Sequence, residues 1–489
     1  MKNSRLRAQL PSAVLAATLL AAAVAPAAAS DWPVFGHDPA RSGFDAGDLT
    51  LSTRNASALH ESWRTRLGAV ADSAPIFLSR VVIAGRRTAM LYVTARNGTT
   101  YGIDARAGRV RWRFATHGPK ITNSMPAAEG GALYVPGVDG AIHELDPATG
   151  AERHERGFPV RITVMPRTEK NASALNVANG YLYAVTSGYI GDAPPYVGHV
   201  VTVRLSDGAT HVFNSLCSDS TALPAPDSCP QSRSGIWARA GAVVDPDPEM
   251  NGRIYAATGN GDFDANAGGH DYGDSVLALS ADGAQLAGSY TPDGYDQLQG
   301  EDADLGSTAP ALLPRQEDSR TPLLAVQGGK DQQLRLLDRA HLPGVGGELQ
   351  VIVLNEMLFS APAVWRDPRG PTYVFVGLGS SLQAYRLLTD LHGTSRLIRA
   401  WSAPQGATSP VVSNGVVFAA TSGAINAYDA SSGNEIWSSE RSSAGGTIGA
   451  IHWQSPIVVD GWLYCCDENG ALTAYALPAP AGRAARRSP

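Results

Sequence analysis

The sequence predicts an all-β fold, an eight-bladed β-propeller of four-stranded antiparallel blades. Three observations lead there. A short phrase recurs along the chain: an Asp, a Gly four residues later and a Trp eight residues later. A second phrase recurs eight times, a small residue, often Pro, leading into a short apolar strand. The composition also suits short strands joined by tight turns, with 52 Gly and 32 Pro in 489 residues and only 17% charged residues. Length alone would suggest two or three domains. A repeat that runs the whole way makes it one ring instead.

The first phrase is clearest at Asp104, Gly108 and Trp112, and again at Asp429, Gly433 and Trp437. Asp146 and Gly150 repeat it with His154 in the Trp place. Asp207-Gly208 and Asp282-Gly283 are looser copies. The Asp–Gly pair is expected to turn the chain between third and fourth strands, and the Trp to pack between blades. The second phrase opens at Pro75, Pro126, near Ala174, near Ala240, and at Pro310, Pro362, Pro410 and Pro456. Most steps lie near 50 residues, which suits one four-stranded blade each. The two long steps hold a Cys217–Cys229 segment and an Asp/Gly-rich segment after Thr258. Segments such as Leu91-Tyr-Val-Thr94 and Val416-Val-Phe-Ala419 are expected to bury one residue in two. The last unit ends at Leu477 without a fourth strand, and residues 59–68 before the first unit read as that strand. The propeller is therefore expected over residues 30–477, with a disordered tail at 478–489.

Residues 1–29 read as a secretory signal peptide. Lys2, Arg5 and Arg7 precede an apolar stretch from Val14 to Val24, followed by Ala27-Ala28-Ala29. The stretch is shorter than the ~20 residues that cross a bilayer, so a periplasmic or secreted protein without a membrane anchor is expected. Losing those three basic residues takes the formal charge from −6 to −9. That argues against nucleic acid or an anionic membrane as partner. A monomer is expected. Export permits disulfides. Cys217 and Cys229 read as a clasp on a long loop, with two free thiols as the alternative. Cys465 and Cys466 read as two small packing residues facing opposite sides of a strand, with a strained vicinal disulfide as the alternative.

These phrases resemble the pyrroloquinoline quinone (PQQ) propeller repeats over nearly the whole chain after the leader. That family includes quinoprotein alcohol dehydrogenases and also non-catalytic propellers, such as the lipoprotein of outer-membrane protein assembly. The central third resembles the dehydrogenases further. Ile236-Trp237, Tyr255-Ala-Ala-Thr-Gly-Asn260, Tyr290-Thr-Pro292, Asp302-Ala-Asp304 and Gly329-Lys330-Asp331 follow in the order of their cofactor-contact motifs. The resemblance implies Trp237 as the floor under a flat quinone and Asn260 as a ligand of a calcium ion. It implies Asp302 as general base and metal neighbour, with Asp304 the adjacent choice, and Lys330 at the quinone oxygens. These residue types fit that chemistry. Ca²⁺ takes several oxygen ligands, a carboxylate accepts the alcohol proton, and a cation steadies the developing oxyanion.

The departures from the family are specific. The enzymes carry a Glu metal ligand on the third blade, where this chain offers Asp192 within Gly191–His199. Their vicinal Cys pair lies early, so Cys465-Cys466 is not its equivalent. No Cys-x-x-Cys-His is present, so no fused haem is expected and an enzyme would need a separate electron acceptor. The implied reading is a PQQ- and calcium-dependent dehydrogenase acting on a small hydroxyl compound. The alternative is a scaffold that presents loops to a protein or polymer. Asp262-Phe-Asp264-Ala-Asn266 resembles the start of a Ca²⁺ loop, but Gly273 stands where the closing Glu belongs. A hydrophilic hairpin extension is the plainer reading.

Overall fold

The computed structural model describes residues 30–120 and 125–478. The leader, residues 1–29, and residues 479–489 of the tail lie outside the described residues. The described residues form eight small sheets. Blade 1 runs through Ile76–Ile83, Arg86–Thr94, Thr99–Asp104 and Val110–Ala115, each strand antiparallel to the last. The other blades repeat this order, with local departures. The outer strand of blade 2 is split into Glu152–Arg153 and Val160–Arg161. The inner strand of blade 3 is split into Glu169–Asn171 and Asn176–Ala178. Blade 8 consists of Ile457–Val459, Trp462–Cys466, Ala471–Ala476 and, from the start of the chain, His60–Arg66. His60–Arg66 pairs antiparallel with Ala471–Ala476, and the ring is closed by that ladder. Among the described residues no helix is long and apolar enough to cross a membrane.

Burial departs from the expected one-in-two pattern. The second strands, such as Ala132–Pro136 and Val416–Thr421, are buried on both faces over nearly their full length. Alternation appears only on outer strands such as Val110–Ala115. The reason is the stacking itself. Each inner sheet face is covered by one neighbour and the other face by the next, so only the rim sees water.

The Asp–Gly–Trp phrase locks one blade to the next. The Trp112 indole donates to the Pro147 carbonyl of blade 2 at 3.1 Å and lies flat over Gly150. A Cβ at Gly150 would come within 2.4 Å of that ring, so only glycine fits. Trp63 sits the same way over Gly108, and Trp401 over Gly433, with indole bonds to Ala105 and Ala430. His154, in the Trp place of blade 2, is exposed and makes no such dock.

The first described residues form a strap across the channel. Inner strands expose an unpaired edge there, whose amides need partners. Trp32 exchanges both bonds with Phe77 of blade 1. The carbonyls of Pro33, Pro39, Ser42 and Gly43 then accept from Ala128, Val244, Val364 and Val412, in blades 2, 4, 6 and 7. Arg41 reaches blade 3, donating to Leu175 O at 2.9 Å and to Phe35 O in the strap at 2.8 Å. A cavity of about 10 Å³ lies between Trp32, Phe35 and Arg41 of the strap and the openings of blades 6, 7 and 8. The strap spans this end of the channel through these bonds, and the opposite end is its mouth. Arg41→Ala should leave these buried carbonyls without donors and cost about 3 kcal/mol. A lower melting midpoint is expected, and an unchanged one would show that the strap is held without it.

Candidate functional site

Three blade openings share a feature three residues upstream. For the openings near Ala240, at Pro362 and at Pro456 that residue is aromatic: Trp237, Phe359 and Trp453. The three rings meet. Their centroids lie 6.1 Å apart for Trp237–Phe359, 5.5 Å for Phe359–Trp453 and 6.5 Å for Trp237–Trp453. The trio stands in the mouth with one cavity on either side.

The cavity on the Trp237 side has a volume of about 250 Å³. Four cations line it, Lys170, Arg233, Arg239 and Lys330, against two carboxylates, Asp192 and Asp304. Asn260 closes one wall. Asn260 follows the second strand of blade 4, Ile254–Ala257, and Lys330 follows the second strand of blade 5, Leu324–Gly328. Asp302 ends a short helix, Tyr295–Glu301, in a left-handed conformation with φ 55°. Close backbone approach makes this possible. A Cβ on Gly259 would sit 2.3 Å from an Asp304 oxygen, and one on Gly306 2.4 Å from the Thr258 carbonyl carbon.

Five of the sequence-expected residues, Trp237, Asn260, Asp302, Asp304 and Lys330, come together. Asn260 Nδ2 donates to Asp302 Oδ1 at 2.6 Å, and Asn260 N donates to Asp304 Oδ1 at 2.6 Å. Lys330 Nζ contacts Asp302 Oδ2 at 3.3 Å and pairs with Asp304. It also stands 5.4 Å from the centre of the Trp237 ring. Asn260 Oδ1 is buried and has no hydrogen-bond partner. Asp192 lines the same cavity, but its oxygen accepts from Tyr196 Oη at 2.9 Å rather than from this cluster. The two central carboxylates differ in exposure. The Asp302 side chain is 70% exposed and that of Asp304 9%.

Electrostatics follow from that difference. Burial pushes the Asp304 carboxyl up, although Lys330 and the Asn260 amide oppose it. Burial works against the Lys330 ammonium too, but Asp304 and Asp302 outweigh it and hold the amine above its ordinary range. Lys170 is different: burial, with Arg239 nearby, brings its amine down to about 7. Behind the cluster, burial pushes Asp274 up to about 7, with Asp304 and Asp331 adding to it and the Leu305 amide opposing. Its Oδ2 is buried without a partner. A carboxyl raised in the fold binds its proton more tightly there than in the unfolded chain, so stability falls as pH rises from about 4 to about 7. Asp274→Asn should remove that loss, gaining up to about 4 kcal/mol at pH 8 and nothing near pH 4. Melting curves at the two pH values check it, and an equal effect at both would refute the charge argument.

Sequence reasoning missed Phe359, Trp453, Lys170 and Arg239. The blade spacing carried a signal for the first two, because Trp237 stands at the same offset. Trp453 is held by a network around buried Asp72, which accepts from Trp453 N at 3.2 Å and from Arg96 Nη2 at 2.7 Å, with His452 Nδ1 at 3.1 Å. Asp72, His452 and Glu468 could group around a cation. Arg96 already bonds Asp72 and Glu468 and supplies that charge. Arg239 stacks over Trp453 at 4.8 Å.

The cysteines and the acidic hairpin lie outside this cluster. Cys217 and Cys229 form a disulfide. Cys465 and Cys466 are free and fully buried. Asp264 Oδ1 accepts from the Asp271 amide, and Asp271 Oδ1 accepts from the Cys217 amide. Asp264 thus braces the hairpin's own backbone, and Asp271 ties the hairpin to the Cys217 segment.

The family profile described as outer membrane protein assembly factor BamB, a PQQ-repeat profile, matches residues 44–211 and 383–483, more than half of the chain. This chain belongs to that PQQ-repeat propeller family. Solved structures of the same architecture cover most of it. A quinohemoprotein alcohol dehydrogenase from Comamonas testosteroni is 17% identical, with 93% of this chain and 81% of that one covered and a TM-score of 0.62. A europium-containing methanol dehydrogenase is 15% identical, with 92% and 98% covered and a TM-score of 0.63. BamB from Moraxella catarrhalis is 12% identical, with 86% and 98% covered and a TM-score of 0.51. Among curated proteins nothing matches. At such identities the likeness establishes the PQQ-propeller fold, and function rests on the site.

Proposed function

We propose that this PQQ-repeat propeller is an exported dehydrogenase that uses PQQ and calcium to oxidise an alcohol or similar hydroxyl compound. The observation that carries the reading is the cavity itself, an aromatic floor at Trp237 ringed by Lys170, Arg239 and Lys330. That is the complement of a flat ligand bearing several carboxylates. The donor set also suits a hard cation in part. Asn260 Oδ1 is a buried acceptor without a partner, and Asp302 lies beside it. Asn260 and Asp302 would hold the ion, with Asp192 available from the facing wall if it leaves Tyr196. Ca²⁺ wants six to eight oxygens, so the ligand and water would complete the shell.

When bound, PQQ supplies the two-electron acceptor. The chain's residues do the rest. Asp302, the more exposed carboxylate, takes the hydroxyl proton of the substrate. Asn260 and Lys330 fix the orientation of that carboxylate through its two oxygens. Lys330, 5.4 Å from the centre of the Trp237 ring, would bring positive charge to the quinone oxygens. Asp304, buried and paired with Lys330, holds the lysine in place and is the positioning partner. A separate electron acceptor would be needed to complete turnover.

The test adds PQQ and Ca²⁺ to the purified protein and follows dye reduction across a panel of alcohols. Turnover is expected, and Asp302→Asn should lower it by about 10²–10⁴-fold while PQQ binding persists. Full activity in that variant would reject Asp302 as the base. The description of the matching family as a BamB assembly factor favours a second reading. The same mouth would then serve a scaffold that holds a protein partner. No shift in melting with PQQ and Ca²⁺, and no dye reduction, would select the scaffold.

A further inference from the structure

Lysine is scarce in this chain. Of 39 basic residues only four are lysines, Lys2, Lys120, Lys170 and Lys330, and Lys2 stands in the leader. The other three gather at one place. Lys170 and Lys330 line the cavity on the Trp237 side, and Lys120 lies 4.5 Å from the centre of the Tyr189 ring in its wall. Arginine is the cation everywhere else. The two differ chemically, because an arginine stays charged whereas a buried lysine can give up its proton and become a nucleophile.

Lys330 is held by Asp302 and Asp304. Lys170 is placed differently. It is the middle residue of the strand Glu169–Asn171, paired with Ser187. Alternation along that strand turns its neighbours away from the cavity. Glu169 is buried beside His199 and accepts from Val197 N at 3.1 Å, and Asn171 donates to Ser173 O at 2.7 Å. The Lys170 side chain turns the other way, into the cavity. Its ammonium lies 5.4 Å from the centre of the Tyr189 ring, and among the described residues it has no hydrogen-bonded or ion-paired partner. The charges that face it are mostly of its own sign. Arg239 and Arg96 are near, and the one carboxylate in range, Asp72, is already bonded to Arg96 and His452. A half-buried amine among cations and without a counter-ion sheds its proton readily. Burial first, and Arg239 second, bring it down to about 7.

An accessible amine of this kind, ringed by cations, is the arrangement that carbonyl-condensing lysines use. We propose that Lys170 binds small carbonyl acids, compounds carrying an aldehyde or ketone beside a carboxylate, as an imine on its amine, with the carboxylate held by Arg233, Arg239 and Lys330. The amine nitrogen bonds the carbonyl carbon, and its two hydrogens leave with the carbonyl oxygen as water. The reaction is reversible and needs no quinone. It stands whether or not the dehydrogenase reading does, since the two ligands would compete for one space.

The experiment treats the full chain with glyoxylate and cyanoborohydride at about pH 7, and maps the product by peptide mass spectrometry. Cyanoborohydride delivers hydride to the imine carbon and leaves a carboxymethyl group on the lysine. Lys170 should be modified at least about tenfold faster than Lys120 or Lys330. Oxalate, a carbonyl-free acid of similar size, should slow Lys170 and leave Lys120 unchanged. Lys170→Arg should abolish the fast reaction without moving it to another residue. Modification of Lys120 or Lys330 as fast as Lys170 would overturn the proposal. So would a Lys170 rate that oxalate does not change, because the carboxylate would then have no seat among the cations. Quinone-dependent turnover in the same preparation is read separately and bears only on the dehydrogenase.

Discussion

A chain that begins at Leu67 should have no cooperative melting transition. It lacks the strap and also His60–Arg66, the strand paired with Ala471–Ala476. The exposed edge would belong to a strand whose residues are all buried in the intact ring, among them Leu472, Ala474 and Tyr475. Each ladder bond is worth about 1 kcal/mol net, and six residue pairs align along this one. Apolar burial adds to that, and total stabilities are only about 5–15 kcal/mol. Two further locks go with the strand. Trp63 leaves Gly108 of blade 1, and Trp437 of blade 7 loses its bond to Leu59 O. Supplying residues 30–68 as a separate peptide should restore a single transition. Unchanged melting of the truncated chain would show that the ring does not depend on that closure.

Lys330→Met should be the most damaging single change in the mouth. It leaves Asp304, nearly buried, without its cation. Breaking a buried pair in this way costs about 3–5 kcal/mol. The carboxyl, already raised by burial, loses the main group opposing that rise. The sign of the pH effect follows. The variant's folded state should hold a proton that its unfolded state releases, so its stability falls as pH rises above the ordinary carboxylate range. The native lysine behaves oppositely. Its raised amine contributes stability below the ordinary amine value, and that contribution fades only as pH rises through the folded value. Melting of both chains at pH 5 and pH 8 should therefore show a gap that widens with pH. On the dehydrogenase reading PQQ affinity falls as well. A pH-independent gap would mean that the loss is one of packing rather than of charge.

The fold was legible because propeller repeats write the same contacts many times. Asp104, Gly108 and Trp112 show a turn and a dock in one blade, and Asp429, Gly433 and Trp437 show it again. The burial pattern was not legible in the same way. Val416–Thr421 carries a strand-like run, but neighbouring blades cover both of its faces. The candidate site divides along the same line. Trp237, Asn260, Asp302, Asp304 and Lys330 could be named from local phrases, and they come together within a few ångströms. Phe359 and Trp453 carry no local phrase of their own. They belong to blades 6 and 8 and meet Trp237 of blade 4 only across the channel.

The amino-acid sequence by itself determined the architecture, since turn glycines, docking tryptophans and strand spacing act within one blade or between adjacent ones. Tertiary structure alone decided that the strap spans one end of the channel, that an aromatic trio divides the mouth, and that the two resulting cavities differ in charge. Those features arise from residues far apart in the chain, and closing the ring is what brings them together.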